Sequence, residues 1–596
     1  MRSSVFIIGA ILTSFSQNPV FAQGTPDSTK RESITRRAFA EGMKLIAASP
    51  KDTIVNERSI SLYSEYSGKI IRHINIERVG FEKSIYDSAK NVAKTVTNLA
   101  NALHTDSREK TIRQHLFFKE HESLNPHKLA DNERFLRQKD FILDSRIFAQ
   151  PVEGTDSVDI TVLTRDVFSL GGSIGGSFPT APEFRIYDAN VDGRAQRIQV
   201  TTLIDAERSP TVGVSLLYRK SSILGSLFNF DLFYSQIDDG ISIGAENEFS
   251  IGARISRPLV SPYSRLAGGM EVSRNWSENV FSKEDTAFLS YDYKIVDSWA
   301  GYNMGINKAF DNRNRNFLAF RFFDGYYVDQ PNQEEYNSEI QYNNAFGYLS
   351  EFTFYRQNFF KTRYVFGFGR TEDVPYGVSL GITAGYVRLL GLERPYGAVK
   401  FKYSKANKKG DFQRLALQTG GYVRNNTLED LVAQVEVNHF TRLFPLNRFK
   451  FRGLVSASYT QIFNQEVDRQ LLIGKNEIPG FRSDSLEAEA RFALHFEPTL
   501  FTPWSLLGFR IATFGAIDMV PVKCLNCANT NEFFWGFSAG MRTANENLIF
   551  GTMEVKFTFI PKNEYGDSQF VIGFRQNLRI KDEGVFATAP SLIRYN

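Results

Sequence analysis

Few residues of this 596-residue chain are spaced for chemistry. The two cysteines, Cys524 and Cys527, stand in KCLNCAN. A zinc site would need two further Cys or His ligands nearby, and none lies close in the sequence. Outside the cytoplasm the pair is therefore read as a candidate local disulfide in a surface loop. His104, His115, His121 and His127 share one stretch but form no i, i+4 pair on a helix face, so they are read as surface or core residues and not as ligands. There is no His-Glu-x-x-His and no phosphate loop, and no nucleophile elbow is expected. The reading is a chain that is not an enzyme, with no catalytic residue, no metal and no cofactor.

One arginine is set apart by where it stands. Residues 471–491, LLIGKNEIPGFRSDSLEAEAR, read as a long loop between two alternating strands. Gly474, Pro479 and Gly480 interrupt any helix or ladder. Phe481 and Arg482 follow the Pro-Gly turn directly. An ordinary polar loop has the same texture, so the elements around it must decide its role.

Those elements read as strands. From about residue 169 to residue 580, short apolar and polar residues alternate between Gly, Asn, Asp and Pro. Met553, Val555, Phe557 and Phe559 alternate with Thr552, Glu554, Lys556 and Thr558. Val399, Phe401 and Tyr403 alternate with Lys400, Lys402 and Ser404. Such strands place one face toward lipid and the other toward a polar lumen. The 53 Phe, 25 Tyr and 43 Gly fit this reading, and no mature segment holds about 18 consecutive apolar residues. Residues 169–580 can hold about sixteen strands of roughly 9–11 residues. The barrel must close, because lipid cannot satisfy an open strand edge.

The N-terminal part reads differently. Arg2, the apolar stretch from Val5 to Phe15, and Val20-Phe21-Ala22 form a secretory signal, residues 1–22. Residues 23–67 read as a polar linker. Residues 68–166 carry the order strand, helix, helix, strand, strand, with a turn at Glu153-Gly154-Thr155-Asp156. Lys and Arg total 70 against 66 Asp and Glu, a net charge of +4, which does not suggest a nucleic-acid binder.

Residues 471–491 resemble the sixth extracellular loop of the BamA/TamA-like outer-membrane superfamily, in which a Gly-rich turn bearing an arginine and an aromatic folds into the lumen. The Glu-x-Arg that often follows is matched by Glu489, Ala490 and Arg491. The family places its arginine before the Gly-aromatic pair, where this chain has Pro479; Arg482 comes after it. Residues 116–149 resemble a POTRA domain, and 508–520 resemble the strand carrying a lumen-facing aspartate, here Asp518. The resemblance implies a mainly β, bacterial-surface-antigen type transmembrane barrel of about sixteen antiparallel strands, preceded by a small α/β POTRA-like periplasmic domain, in a Gram-negative outer membrane. It implies a lumen motif of Gly480, Phe481 and Arg482 with Asp518 as partner carboxylate. It also implies a role in assembling or inserting outer-membrane proteins. A polypeptide-exporting pore of two-partner type, or a passive porin or surface-binding barrel, are the alternatives. The expected partners are outer-membrane lipid, unfolded outer-membrane or exported polypeptides, and periplasmic accessory proteins, with no nucleic acid. The tail, residues 581–596, departs from the family, whose chains usually end in an aromatic on the last strand.

Overall fold

The computed structural model describes residues 56–593 except 61, 80–105, 178–179, 239, 243–245, 306–312, 337–338, 370, 468–470, 472, 474–476, 480, 482–487, 507–508, 525–530, 546–551, 563–567 and 577–584. The expected signal, most of the linker, and residues 80–105 of the expected POTRA-like segment lie outside the described residues. Among them no helix is long and apolar enough to cross a membrane.

A small α/β unit comes first. After the two-residue strand β1 (Glu57–Arg58), β2 (Ile70–Val79), α1 (Glu109–Arg113), α2 (Pro126–Arg137), β3 (Ile142–Pro151) and β4 (Ser157–Asp166) follow the expected order. β4 is central, parallel to β2 and antiparallel to β3. Ile71 and Ile74 both point inward, at 0% and 4% exposure, although they are three residues apart. A register shift between them absorbs the odd spacing, which explains why β2 alternates imperfectly in sequence. Asn125 caps α2, its side chain accepting from the N–H of His127 and Lys128, with Pro126 at the first helical position. Ile112, Leu129, Leu136, Ile142, Val158, Ile160 and Val162 form the core with Tyr63. Tyr63 stands in the stretch read as linker. The end of that stretch is thus built into the fold, β1 pairing with Phe360 and Lys361 of the barrel.

Among the described residues the nearly closed barrel has twenty strands, not about sixteen. They are β5 (Leu170–Ser177), β6 (Ala181–Asp188), β7 (Gln196–Ile204), β8 (Val212–Lys220), β9 (Asn229–Asp238), β10 (Asn247–Arg257), β11 (Leu266–Glu278), β12 (Asp292–Met304), β13 (Asn314–Asp329) and β14 (Ala345–Thr362). The second half holds β15 (Glu372–Leu389), β16 (Leu392–Ala406), β17 (Phe412–Arg424), β18 (Thr427–Phe440), β20 (Phe449–Phe463), β21 (Ala488–Leu506), β22 (Phe509–Cys524), β23 (Asn531–Asn545), β24 (Thr552–Ile560) and β25 (Gln569–Gln576). The three-residue β19 (Phe444–Leu446) pairs only with β20. Each barrel strand pairs antiparallel with the next, and β25 lies beside β5. The count exceeds the expectation because some connections are shorter than a barrel loop was assumed to be. Leu390-Gly391 and Asn425-Asn426 each turn the chain in two residues, all four at positive φ, the geometry of a tight hairpin whose twist matches the strands.

Burial follows the alternation. On β24, Thr552, Glu554, Lys556 and Thr558 are buried while Phe557 is exposed. Phe320 and Phe322 on β13 and Phe352 and Phe354 on β14 are likewise exposed. Charges inside and aromatics outside invert the arrangement of a water-soluble protein and suit a lipid-facing wall.

The α/β unit sits on one rim of the barrel. Arg137 donates to both carboxylate oxygens of Asp373 at 2.8 Å, and Lys361 lies 2.5 Å from Glu133. Arg134 donates to the Val260 carbonyl at 2.7 Å and covers the Phe359 ring. Ser261 donates to Asp131 at 2.6 Å. Thr111 donates to the Gly193 carbonyl and Ser222 to that of Gln114, both at 2.7 Å. Eleven residues of α2 are buried by this docking and by the core.

Candidate functional site

The loop between β20 and β21 enters the lumen. Leu471, Ile473 and Ile478 are fully buried and Phe481 nearly so. They pack with Leu349, Tyr396, Val520 and Phe534, which point inward from β14, β16, β22 and β23. The Phe481 and Phe534 rings are 5.1 Å apart. Phe481 N–H donates to the Ile478 carbonyl at 3.0 Å, closing the turn around Pro479. Gly536 on β23 makes room for it, since a Cβ there would stand 2.9 Å from the Ile478 side chain. An ion pair joins loop and wall, Arg491 to Glu477 at 3.2 Å. The arginine of the Glu-x-Arg motif therefore holds the loop from the strand side.

Of the expected motif, Gly480 and Arg482 lie outside the described residues, as does Cys527. Cys524 is disulfide-bonded. Asp518 faces the lumen from β22 and is 2% exposed. Its described partner is His495, whose Nδ1 lies 2.6 Å from Asp518 Oδ1. Asp518 Oδ2 has no hydrogen-bond partner among the described residues.

Around Asp518 the wall carries charges that sequence reasoning did not single out. Arg542 of β23 donates to Glu497 of β21 at 2.7 and 2.8 Å and to Glu554 of β24 at 2.8 Å. Its guanidinium lies 4.2 Å from the centre of the Phe514 ring. His495 reaches Glu497 at 3.7 Å. Alternation alone places Arg491, His495 and Glu497 on one face of β21, whereas Arg542 comes opposite Glu554 only in the folded ladder. Four strands are thus tied by buried, paired charges, which fix conformation more than they add stability. A cavity of about 280 Å³ opens between this wall and the loop, lined by Glu477, Pro479, His495, Asp518, Lys556 and Arg575.

Among the described residues no group of three or more His, Cys, Asp or Glu could hold a metal ion. The spelling Gly-x-Ser-x-Gly does occur, at 171–175 and 536–540. Both copies lie inside strands β5 and β23, whereas a nucleophile elbow needs a sharp strand-to-helix turn. Ser538 is buried against Thr558 at 3.0 Å.

The joint between first and last strands is the second feature. β5, LGGSIGGS, has eight residues, while β14, β15 and β21 have 18, 18 and 19, and β25, QFVIGFRQ, is described only as far as Gln576. At a tilt near 45°, eight residues rise only about 19 Å, less than the ~30 Å hydrocarbon core. The Gln576 side chain donates to the Gly172 carbonyl at 3.3 Å across this joint.

No family model matches the chain, and neither does any curated protein. Solved structures do. BamA from Haemophilus ducreyi lacking POTRA domains 1–3 aligns at 11% identity and a TM-score of 0.32, over 95% of this chain and 96% of that one. CdiB from Acinetobacter baumannii aligns at 11% and 0.38, over 92% and 81%. CdiB from Escherichia coli aligns at 10% and 0.41, over 93% and 99%.

Proposed function

We propose that this chain is an outer-membrane barrel that handles polypeptides without enzymatic chemistry, inserting or assembling other membrane proteins at the joint between β5 and β25. The observation that carries the reading is that joint. Its first strand, β5, has only eight residues, as few as β6, and four of the eight are glycine. Short strands thin the adjoining bilayer, and glycine side chains add nothing to hold the joint shut. The α/β unit, read as POTRA-like, would lie on the periplasmic side and receive client chains. β2 is an edge strand of its sheet, but its first half is covered: Ile71 exchanges backbone hydrogen bonds with His121 and Glu122, and Ile74 N–H donates to Glu120, so strand addition there would have to use the stretch beyond Ile74. The other edge, β3, is engaged: Glu133 accepts from Ile147 N–H at 2.9 Å and Arg137 donates to the Ser145 carbonyl at 3.0 Å. Accessory proteins would have the remaining surface of this unit.

A second reading, a pore exporting one partner polypeptide, is favoured by residues 585–593, which lie along the inner wall of the barrel. Depletion of the protein followed by outer-membrane proteomics separates the two. A general loss of barrels is expected for assembly, and loss of a single exported protein for the pore. No change in either would return the chain to a passive porin or surface-binding barrel.

A further inference from the structure

The tail does not hang free of the barrel. Residues 585–593 lie against the inner wall of β13, β14 and β16, and the wall grips them mainly by their backbone. Gln357 accepts from the Phe586 N–H at 2.9 Å. Arg321, itself held by Asp297 at 2.9 and 2.6 Å, donates to the Pro590 carbonyl at 3.0 Å. Lys400, paired with Glu351 at 2.8 Å, donates to the Ser591 carbonyl at 2.9 Å and to its hydroxyl at 3.0 Å. The Tyr396 hydroxyl accepts from the Ile593 N–H at 2.9 Å. Val585, Phe586 and Ala587 pack with Phe317, Ala319 and Tyr355. At the other end Ile593 joins the cluster formed by the lumen loop.

The direction is informative. Gln357 lies near the end of β14 that meets the α/β unit, whereas Tyr396 lies near the opposite rim, beside the hairpin at Leu390-Gly391. Seven residues of extended chain cover about 24 Å, so the segment runs along much of the lumen. Four of the five polar contacts are to backbone N–H or C=O groups, which every peptide presents. The apolar pockets lie seven residues apart, at Phe586 and Ile593. Such a wall recognises an extended polypeptide with spaced apolar side chains and is tolerant of its remaining sequence.

We propose that the inner wall of β13, β14 and β16 is a binding site for extended polypeptide, filled in the resting protein by the chain's own residues 585–593 as a displaceable plug. The identity of the natural competitor, a client polypeptide, rests on the function proposed above; the site and its self-occupation do not. Tethering presents the tail at an effective concentration in the millimolar range, so a free peptide displaces it poorly and one delivered at the docked rim displaces it well.

Two measurements test this. Lys400→Cys with Ser591→Cys, in full-length protein with Cys524→Ser and Cys527→Ser, should crosslink under mild oxidation in native membranes; absence of the crosslink would overturn the plug. A labelled synthetic peptide of residues 585–593 should then bind a chain ended after residue 584 about tenfold more tightly than wild type, the tethered competitor having gone. Full-length Phe586→Asp with Ile593→Asp should behave like the shortened chain, which guards against misfolding of the truncation. Arg321→Ala with Lys400→Ala in the shortened chain should weaken the peptide about tenfold, through the loss of charge-assisted bonds. Equal peptide binding by wild type and by both tail variants, or indifference to the wall substitutions, would overturn the site. These readouts need no client, so their failure would leave the proteomic test of assembly standing, and the reverse.

Discussion

At the residue scale, the docking of the α/β unit depends on groups that titrate. Burial pushes His115 down to about 3, with Lys139 adding to it. Burial and the neighbouring Arg313 and Arg315 push His127 down to about 3. Burial alone would raise the Glu133 carboxyl, but Lys361 and Arg137 outweigh it and hold it at about 2. All three pKa values are depressed, so between the folded and unfolded values the unfolded chain binds more protons and stability is lost as pH falls. The histidines are lost first, from about pH 6.5 downward, and Glu133 follows from about pH 4.5. Each histidine should withdraw about 2 kcal/mol between pH 7 and pH 5. Thermal release of the unit, followed by limited proteolysis of the full-length protein at both pH values, checks this; His127→Gln should flatten the dependence. Arg137→Ala should cost about 3–5 kcal/mol, because it strands Asp373 and Glu133 in a buried site. Arg137→Met with Asp373→Leu should recover much of that loss. Equal tryptic release of the unit from wild type and Arg137→Ala would remove the pair from the docking account.

At the scale of elements, the loop between β20 and β21 is held by apolar packing and by Arg491. Arg491→Ala should leave Glu477 unpaired beside the lumen and loosen the loop, seen as faster protease cleavage within 464–487 with little change in barrel content. The expected Arg482–Asp518 pair is tested by cysteines at both positions in the background without Cys524 and Cys527. If the pair exists, Arg482→Ala and Asp518→Ala harm function similarly and the double variant is less than additive. Without a crosslink, and with both single variants fully active, His495 is left as the carboxylate's partner. The α/β unit is a separate case. Its own core is complete in residues 56–166 only when Tyr63 is included, since the Tyr63 hydroxyl donates to Glu133 at 2.6 Å and to the Ile147 carbonyl at 3.1 Å.

At the scale of the whole molecule, closure makes the barrel resist detergent until it is heated, because no strand edge offers a starting point for unfolding. The protein should therefore float with outer membranes and migrate faster in gels when unheated than when boiled. Recovery as a soluble protein would contradict the lipid-facing wall. If the joint between β5 and β25 must part for function, Ser173→Cys with Gln576→Cys, bridged by a short bifunctional maleimide, should abolish function while heat-modifiable migration persists. Full activity of the bridged protein would move the working site into the lumen.

The sequence by itself determined the barrel and its inside-out polarity, because a two-residue period needs no tertiary information to show which face is polar. It also determined the order of the α/β unit, whose turn at Gly154 is local, and it pointed to residues 471–491 as a loop of interest through Pro479, Gly480 and Phe481. The number of strands was decided elsewhere: tight hairpins such as Asn425-Asn426 look like any polar pair until the strands on either side are seen to match. Arg542 between Glu497 and Glu554, His495 on Asp518, and Tyr63 in a segment that reads as linker are pairings across tens of residues, and no periodicity encodes them. The tail was legible only as an oddity. Residues 585–593 are a short apolar stretch with no strand of their own, and only the closed wall, with Gln357, Arg321, Lys400 and Tyr396 brought to one line, gave that stretch a place to bind.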